Sequence, residues 1–141
     1  MAKVDADQYV DIMRFYAHQM SLLDAQDVTG YVGTFTEDGV THHVHRGEKL
    51  EGSAAILAHA TKALPHYRTV VVRHWNDHYL VDETEDGEGF TVSYGSLVTL
   101  TDGDGRVRFE STFAVTDVLV LVDDGLRVRS RTIVRDRPAE R

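Results

Sequence analysis

Hydrophobic positions along the chain fall into two regimes. In the first, Tyr9, Ile12, Met13, Tyr16, Met20 and Leu23 recur at i, i+3, i+4 and i+7, which predicts an amphipathic helix from Asp5 or Asp7 to about Asp24. Asp5 with Gln8 supplies a capping pair for it. Ala25-Gln26 breaks the pattern, and Asp27 can cap a second short helix running through Phe35, closed by a Glu37-Asp38-Gly39 turn. Val40 to Arg46 then reads as a short strand, and Ser53 as the cap of a third helix, Ala54 to Leu64, that Pro65 stops.

From Tyr67 onward the period becomes two. Strands are predicted at about Arg68 to Asp82, Phe90 to Thr101, Arg106 to Val122 and Leu126 to Arg135, joined by Asp- and Gly-rich turns. Helices first and an antiparallel meander last give an α+β fold, the helices packed on one concave face of a curved sheet. Residues 1–141 read as one domain, without repeat or linker.

Strand faces locate the candidate chemistry. Val107, Phe109, Ser111, Phe113, Val115, Asp117, Leu119 and Leu121 share one side of their strand, so Asp117 belongs inside the core. A buried ionisable group must be paired, hydrogen-bonded or shifted in pKa. On the return strand Leu126, Val128, Ser130, Thr132 and Val134 oppose Arg127, Arg129, Arg131 and Arg135, which reads as a solvated or subunit-facing arginine ladder. Phe90, Val92, Tyr94, Ser96, Val98 and Leu100 bring Tyr94 and Ser96 inward. For the strand before it two registers remain open: one places His74 inside, the other buries Trp75.

Asp117 with His74, supported by Tyr94 and His43, makes a candidate acid–base set, because imidazole exchanges protons near neutrality and a carboxylate can orient it. The structural alternative pairs Asp117 with an arginine and makes His74 a satisfied core histidine. His43 and His45 would share a strand face and could begin a metal site, but spacing fixes no third ligand. Neither a phosphate loop, a dinucleotide fingerprint nor a Gly-x-Ser-x-Gly element occurs, so chemistry without a cofactor is expected.

Composition then narrows the partners. A net charge of −8 gives no electrostatic reason to expect nucleic acid or an anionic membrane. Cysteine is absent, which removes disulfides and thiolate metal sites. The polar, acidic first eight residues are unlike a signal peptide and no apolar run approaches the ~20 residues of a membrane span, so a cytoplasmic protein is expected.

The order helix, short helix ending Phe35-Thr36-Glu37-Asp38-Gly39, strand, Gly52-Ser53-Ala54-Ala55-Ile56 helix and four strands resembles the nuclear transport factor 2-like superfamily, the cone-shaped fold of ketosteroid isomerase, scytalone dehydratase and SnoaL-like polyketide cyclases. Phe15 to Asp24, Arg73-His74-Trp75, and Asp117 to Val120 with Leu126 to Arg131 are similar to small SnoaL-type proteins of actinomycete aromatic polyketide pathways. The resemblance implies that His74 stands where scytalone dehydratase keeps a catalytic histidine, and Asp24 where it keeps an aspartate. It sets Asp117 near the oxyanion-hole acid of ketosteroid isomerase and His43 at that enzyme's general base, with His43 rather than His42 facing the cone, although Val40 and Val44 favour the opposite register. The isomerase's oxyanion tyrosine would land on Gln19. Scytalone dehydratase has tyrosines where Leu23 and His43 stand, and its second histidine would fall near Tyr94 or Ser96.

The resemblance implies a cofactor-independent cyclase or dehydratase acting on an aromatic polyketide intermediate. His74, Asp117 and His43 are its candidate catalytic residues; Asp24, Tyr94, Ser96, Phe35, Phe113 and Trp75 are its candidate substrate contacts. Family habit implies a homodimer. A non-catalytic aromatic-metabolite binder or accessory subunit, and an epoxide-opening hydrolase, are the alternatives on the same fold.

Overall fold

A computed structural model describes residues 3–138. Helix α1 spans Ala6–Asp24 and opens with a capping box: Asp5 accepts from the Gln8 backbone at 2.8 Å while the Gln8 side chain accepts from the Asp5 backbone at 3.0 Å. Its buried stripe is Ile12, Tyr16 and Gln19. Asp27 caps α2, Val28–Val32, which ends three residues before Phe35. Strand β1 then runs Phe35–His43 and β2 runs Glu48–Glu51, with α3, Ser53–Ala63, lying after them. The meander is β3 Val71–Glu83, β4 Gly89–Thr101, β5 Val107–Val122 and β6 Gly125–Arg135.

All six strands form one curved sheet in the order β2-β1-β6-β5-β4-β3. Pairing is antiparallel except between β1 and β6, which lie parallel, so the meander is extended beyond its last strand by the N-terminal hairpin. Strand β2 was not expected, because its four residues are too few to show a period. The expected Glu37-Asp38-Gly39 turn is instead an irregularity inside β1: Phe35 pairs with Val128 and Val40 with Ser130, so three extra residues bow outward. Gly39 permits this, because a β-carbon there would sit 2.9 Å from the Thr36 carbonyl oxygen. Past His43 the chain leaves the sheet in a 3₁₀ turn, Val44–Arg46, closed by Gly47 at φ 60°. His43 and His45 therefore do not share a strand face, although their ring centres are 6.2 Å apart.

Three one-residue bulges curve the sheet and interrupt the period-two reading. In β3 the offset falls between Asp77 and Leu80, where His78 adopts φ 61°. Val72, His74 and Asn76 face inward before it and Tyr79 and Val81 after it, which resolves the open register in favour of His74. In β5 the offset between Ser111 and Phe109 turns Phe109 out to 77% exposure. In β6, Val118 pairs with Ser130 and Leu119 with Val128, leaving Arg129 as the extra residue. Val128 and Arg131 consequently both point inward, three positions apart, and Arg131 is only 4% exposed. The arginine ladder expected on the outside thus loses one rung to the core.

That rung meets Asp117, which is its direct cross-strand neighbour and fully buried. The guanidinium binds the carboxylate through two nitrogens, Nε to Oδ1 at 2.9 Å and Nη2 to Oδ2 at 2.8 Å. Around them close Ile12, Tyr16, Phe35, Val92, Leu119 and Val128, the heart of the hydrophobic core.

A buried ion pair deprived of one partner leaves an uncompensated charge, which costs about 3–5 kcal/mol. Arg131→Met is therefore expected to lower the urea-unfolding free energy by about that much, and Asp117→Asn/Arg131→Met to recover part of the loss. Equal stability of the single variant and wild type would show that the pair is not what holds β5 against β6.

Candidate active site

Between the concave face of the sheet and α2, α3 and the turn Leu64–Tyr67 lies a cavity of about 540 Å³. That is the size of a site for a small organic molecule. Strand register stacks the concave face of the sheet in layers, with Asp117 and Val92 buried beneath the cavity surface. The deepest layer is Thr41, Arg131, Asp117 and Val92; above it come His43, Ile133, Val115 and Tyr94; then Arg135, Phe113, Ser96 and Asn76; and last Ser111, Val98 and His74. Met20, Leu23, Ile56 and Ala60 from the helices close the other side. The interior is thus apolar with polar groups at separated heights.

The floor is a hydrogen-bond network centred on Asp117. Its Oδ2 accepts from Tyr16 at 2.7 Å and from Tyr94 at 3.1 Å, besides the two bonds from Arg131. Arg131 also donates through Nη1 to the Tyr31 hydroxyl at 2.8 Å and through Nη2 to Gln19 Oε1 at 2.6 Å, and its guanidinium lies 5.4 Å over the Phe35 ring. Gln19 passes the chain on to Thr34 at 2.7 Å. Burial alone would make Arg131 less basic, but the adjoining Asp117 holds its pKa well above the ordinary value. Burial first, and then the Asp117 charge, raise the Tyr16 hydroxyl far above the usual tyrosine range. Tyr94 is likewise raised by burial, partly offset by Arg131.

This geometry corrects two expectations for Asp117. It partners Arg131, as the structural alternative had it, with Tyr16 and Tyr94 and not His74, and every one of these contacts supplies a donor, so it is an acceptor hub and not the hydrogen-bond donor that likeness to the isomerase's oxyanion-hole acid implies. Of the tyrosines that reach the cavity, one is left to donate and the other to accept. Tyr94 spends its proton on Asp117 and keeps lone pairs, whereas Tyr31 accepts from Arg131 and keeps its proton.

His74 has a different carboxylate. Its Nδ1 is 2.7 Å from Oδ1 of Asp24, the last residue of α1, and the same carboxylate accepts from the His74 backbone at 3.2 and 3.3 Å. Held this way, Nδ1 is engaged and Nε2 is the ring nitrogen available on the cavity wall. The two side chains are 22% and 16% exposed; His74 lines the cavity, whereas Asp24, expected as a substrate contact, holds the ring from behind and does not line it.

On the opposite wall His43 lines the cavity, with Glu48 facing it across the β1–β2 hairpin. Burial, reinforced by Arg46, His59, His45 and Arg131, lowers the His43 pKa to about 4. Glu48 Oε1 lies 3.5 Å from Nδ1 without hydrogen-bond geometry and does not reverse this. Thr41 Oγ1, His43 Nδ1 and Asn76 Oδ1 are buried polar atoms without a partner, and all three residues line the cavity.

Of the remaining candidates, Ser96 and Phe113 line the cavity. Phe35 does not: it is a core residue, packed edge-on against Tyr31 at 5.3 Å and beneath Arg131. Trp75 points the other way, 57% exposed on the outer face with its indole bonded to Thr99 at 3.0 Å, because the register that brings His74 in must send Trp75 out. Arg131, Tyr31 and Tyr16 escaped sequence reasoning. Arg131 was hidden by the bulge at Arg129, Tyr31 by its place in a helix of five residues, too short to show a face, and Tyr16 by its place in an apolar stripe. Among the described residues no set of three or more His, Cys, Asp or Glu side chains is arranged to hold a metal ion, and no helix is long and apolar enough to cross a membrane.

Residues 4–132 match the SnoaL-like domain family. The chain belongs to that family, within the nuclear transport factor 2-like superfamily. This SnoaL-like chain is 37% identical to Aln2 from a Streptomyces species, with a TM-score of 0.89 over 96% of this chain and 95% of that one. It is 34% identical to ActVI-ORFA from Streptomyces coelicolor, with a TM-score of 0.86 over 93% and 98%. A Catenulispora acidiphila protein solved in complex with S-DNPA shares 31% identity, with a TM-score of 0.84 over 94% and 96%. No curated protein matches the chain.

The His43 environment makes a pH prediction. Its folded pKa of about 4 lies below the ordinary 6.5, so the unfolded chain takes up the proton first. The contribution of the buried neutral ring is complete above pH 6.5 and is lost as pH falls toward 4. In urea titrations the stability gap between wild type and His43→Asn is expected to shift toward the variant on going from about pH 7 to about pH 5. An unchanged gap would mean that the ring is not held neutral.

Proposed function

We propose that this SnoaL-like protein is a cofactor-independent cyclase or dehydratase for an aromatic, polyketide-derived intermediate. The observation that carries the proposal is His74 on the wall of a cavity large enough for a fused-ring substrate, with its Nδ1 held 2.7 Å from Asp24 behind it. Membership of the SnoaL-like family, and likeness at 31–37% identity to Aln2, ActVI-ORFA and the S-DNPA-binding protein, support a substrate of that class.

In this reading a flat ring system lies between Met20, Leu23 and Ile56 on the helix side and Val115, Phe113 and Leu100 on the sheet side. His74 Nε2 exchanges the proton at a carbon or hydroxyl of the substrate, while Asp24 fixes the tautomer and holds the charge that develops on the ring. Tyr31 donates from the floor to an oxygen that becomes negative, and Tyr94 accepts from a substrate hydroxyl. Arg131 acts through Tyr31, its own charge being matched by Asp117. Asp117 is thus a positioning residue rather than a catalytic one.

General acid–base catalysis by one positioned side chain is worth roughly 10²–10⁴-fold. Incubation with a bicyclic phenolic ketone carrying a side-chain hydroxyl, followed by chromatography and mass spectrometry, is expected to show cyclised or dehydrated product. His74→Ala should reduce kcat by about that factor, with Asp24→Asn falling between it and wild type. Recovery of such compounds unchanged but tightly bound by wild type would identify a binder instead, and undiminished turnover by both variants would remove the pair from the chemistry.

A further inference from the structure

The wall facing His74 carries a second arrangement that the Asp24–His74 chemistry leaves unused. His43 on β1, Glu48 on β2 and His59 on α3 come from three different elements, and a single carboxylate oxygen, Glu48 Oε1, lies 3.5 Å from both His43 Nδ1 and His59 Nε2. The ring centres of the two histidines are 6.3 Å apart, and both residues line the cavity. Glu48 Oε1 and His43 Nδ1 are buried and neither makes a hydrogen bond. An acid serving only to pin the β1–β2 hairpin would be expected to satisfy its buried oxygen. Here two imidazoles compete for that oxygen at equal distance. A small rotation of Glu48 closes one contact and opens the other.

We propose that His43, Glu48 and His59 form a second proton-handling station, in which His43 receives the proton of a substrate hydroxyl or phenol while Glu48 and His59 carry it onward. This rests on the cyclase reading and deepens it, since one cavity then has a histidine–carboxylate pair on each of two facing walls. In the cyclising step the substrate O–H bond breaks and its proton goes to His43 Nε2. The freed oxygen attacks the ketone carbon to form the new C–O bond. The former carbonyl oxygen takes a proton that His74 Nε2 has first picked up from solvent, the charge developed on the ring being held by Asp24, so one proton leaves the substrate and one returns, with no change of oxidation state. Glu48 accepts from Nδ1–H of the charged His43, and His59, with about a third of its side chain exposed, connects the carboxylate to solvent. The station starts neutral, because burial first and then Arg46, His59, His45 and Arg131 disfavour a positive charge on His43, and the same surroundings press a proton taken up there onward to Glu48 and His59.

Long-range proton–nitrogen NMR of the histidine rings, recorded on the full chain with and without 2-naphthol as a phenol probe, tests this directly. At neutral pH the expected result is an uncharged His43 with its proton on Nδ1 and a bare Nε2 that shifts when naphthol is added. In Glu48→Gln the Nδ1 tautomer is expected to lose its preference and the naphthol shift to shrink. With the phenolic ketone, Glu48→Gln and His59→Gln are expected to lower kcat about tenfold at unchanged KM, at the weak end of general acid–base effects, and Glu48→Asp to restore part of it. An unchanged His43 tautomer and naphthol response in Glu48→Gln would overturn the station, whatever the turnover. The NMR signature without any turnover would sink the cyclase reading and leave the station standing; turnover without the signature would do the reverse.

Discussion

One buried ion pair fixes the interior of this protein. Removing a carboxylate and a guanidinium from water is costly, and the structure offsets that cost by saturating both groups: four hydrogen bonds converge on Asp117, and Arg131 extends the network to Tyr31 and Gln19. These partners lie on α1, α2, β4, β5 and β6. The network therefore sets how the helices sit on the sheet as well as how two strands align. Because Tyr94 and Tyr31 are its outermost members, the same bonds decide which of the floor hydroxyls can donate and which can accept.

Much of the architecture could be read from hydrophobic period. The first helix, the third helix and the four long strands lie within a few residues of their expected bounds, because each is long enough for its repeat to dominate. The burial of Asp117 was legible too, since it sits amid an unbroken inward series from Phe113 to Leu119. Bulges were not legible. One extra residue reverses every later side chain, and nothing in the composition around Arg129, Glu110 or His78 announces it. The pairing of β1 with β6 was equally hidden, because it joins segments 90 or more residues apart that carry no complementary signature.

The candidate site was legible in its members and not in its partnerships. His74, Asp24, His43, Tyr94, Ser96 and Phe113 were all singled out, yet Asp117 was set beside His74, and Trp75 and Phe35 were placed on the wall. A strand pattern says which face a residue takes; it says nothing of which residue on a distant helix will meet it. Asp24 and His74 meet because α1 ends where β3 passes, 50 residues later in the chain. Family likeness pointed at both positions without saying that they touch.

The dual use of the Asp24 carboxylate ties reactivity to mechanical integrity. The oxygens that orient the imidazole also grip the peptide N–H of the same residue, so the clasp joining the end of the first helix to an edge strand is one with the pair to which the proposed chemistry is assigned. Helix ends fray at lower free energy than sheets melt. On the role proposed for His74, warming is expected to release that clasp, and activity with it, while the six-stranded sheet still holds.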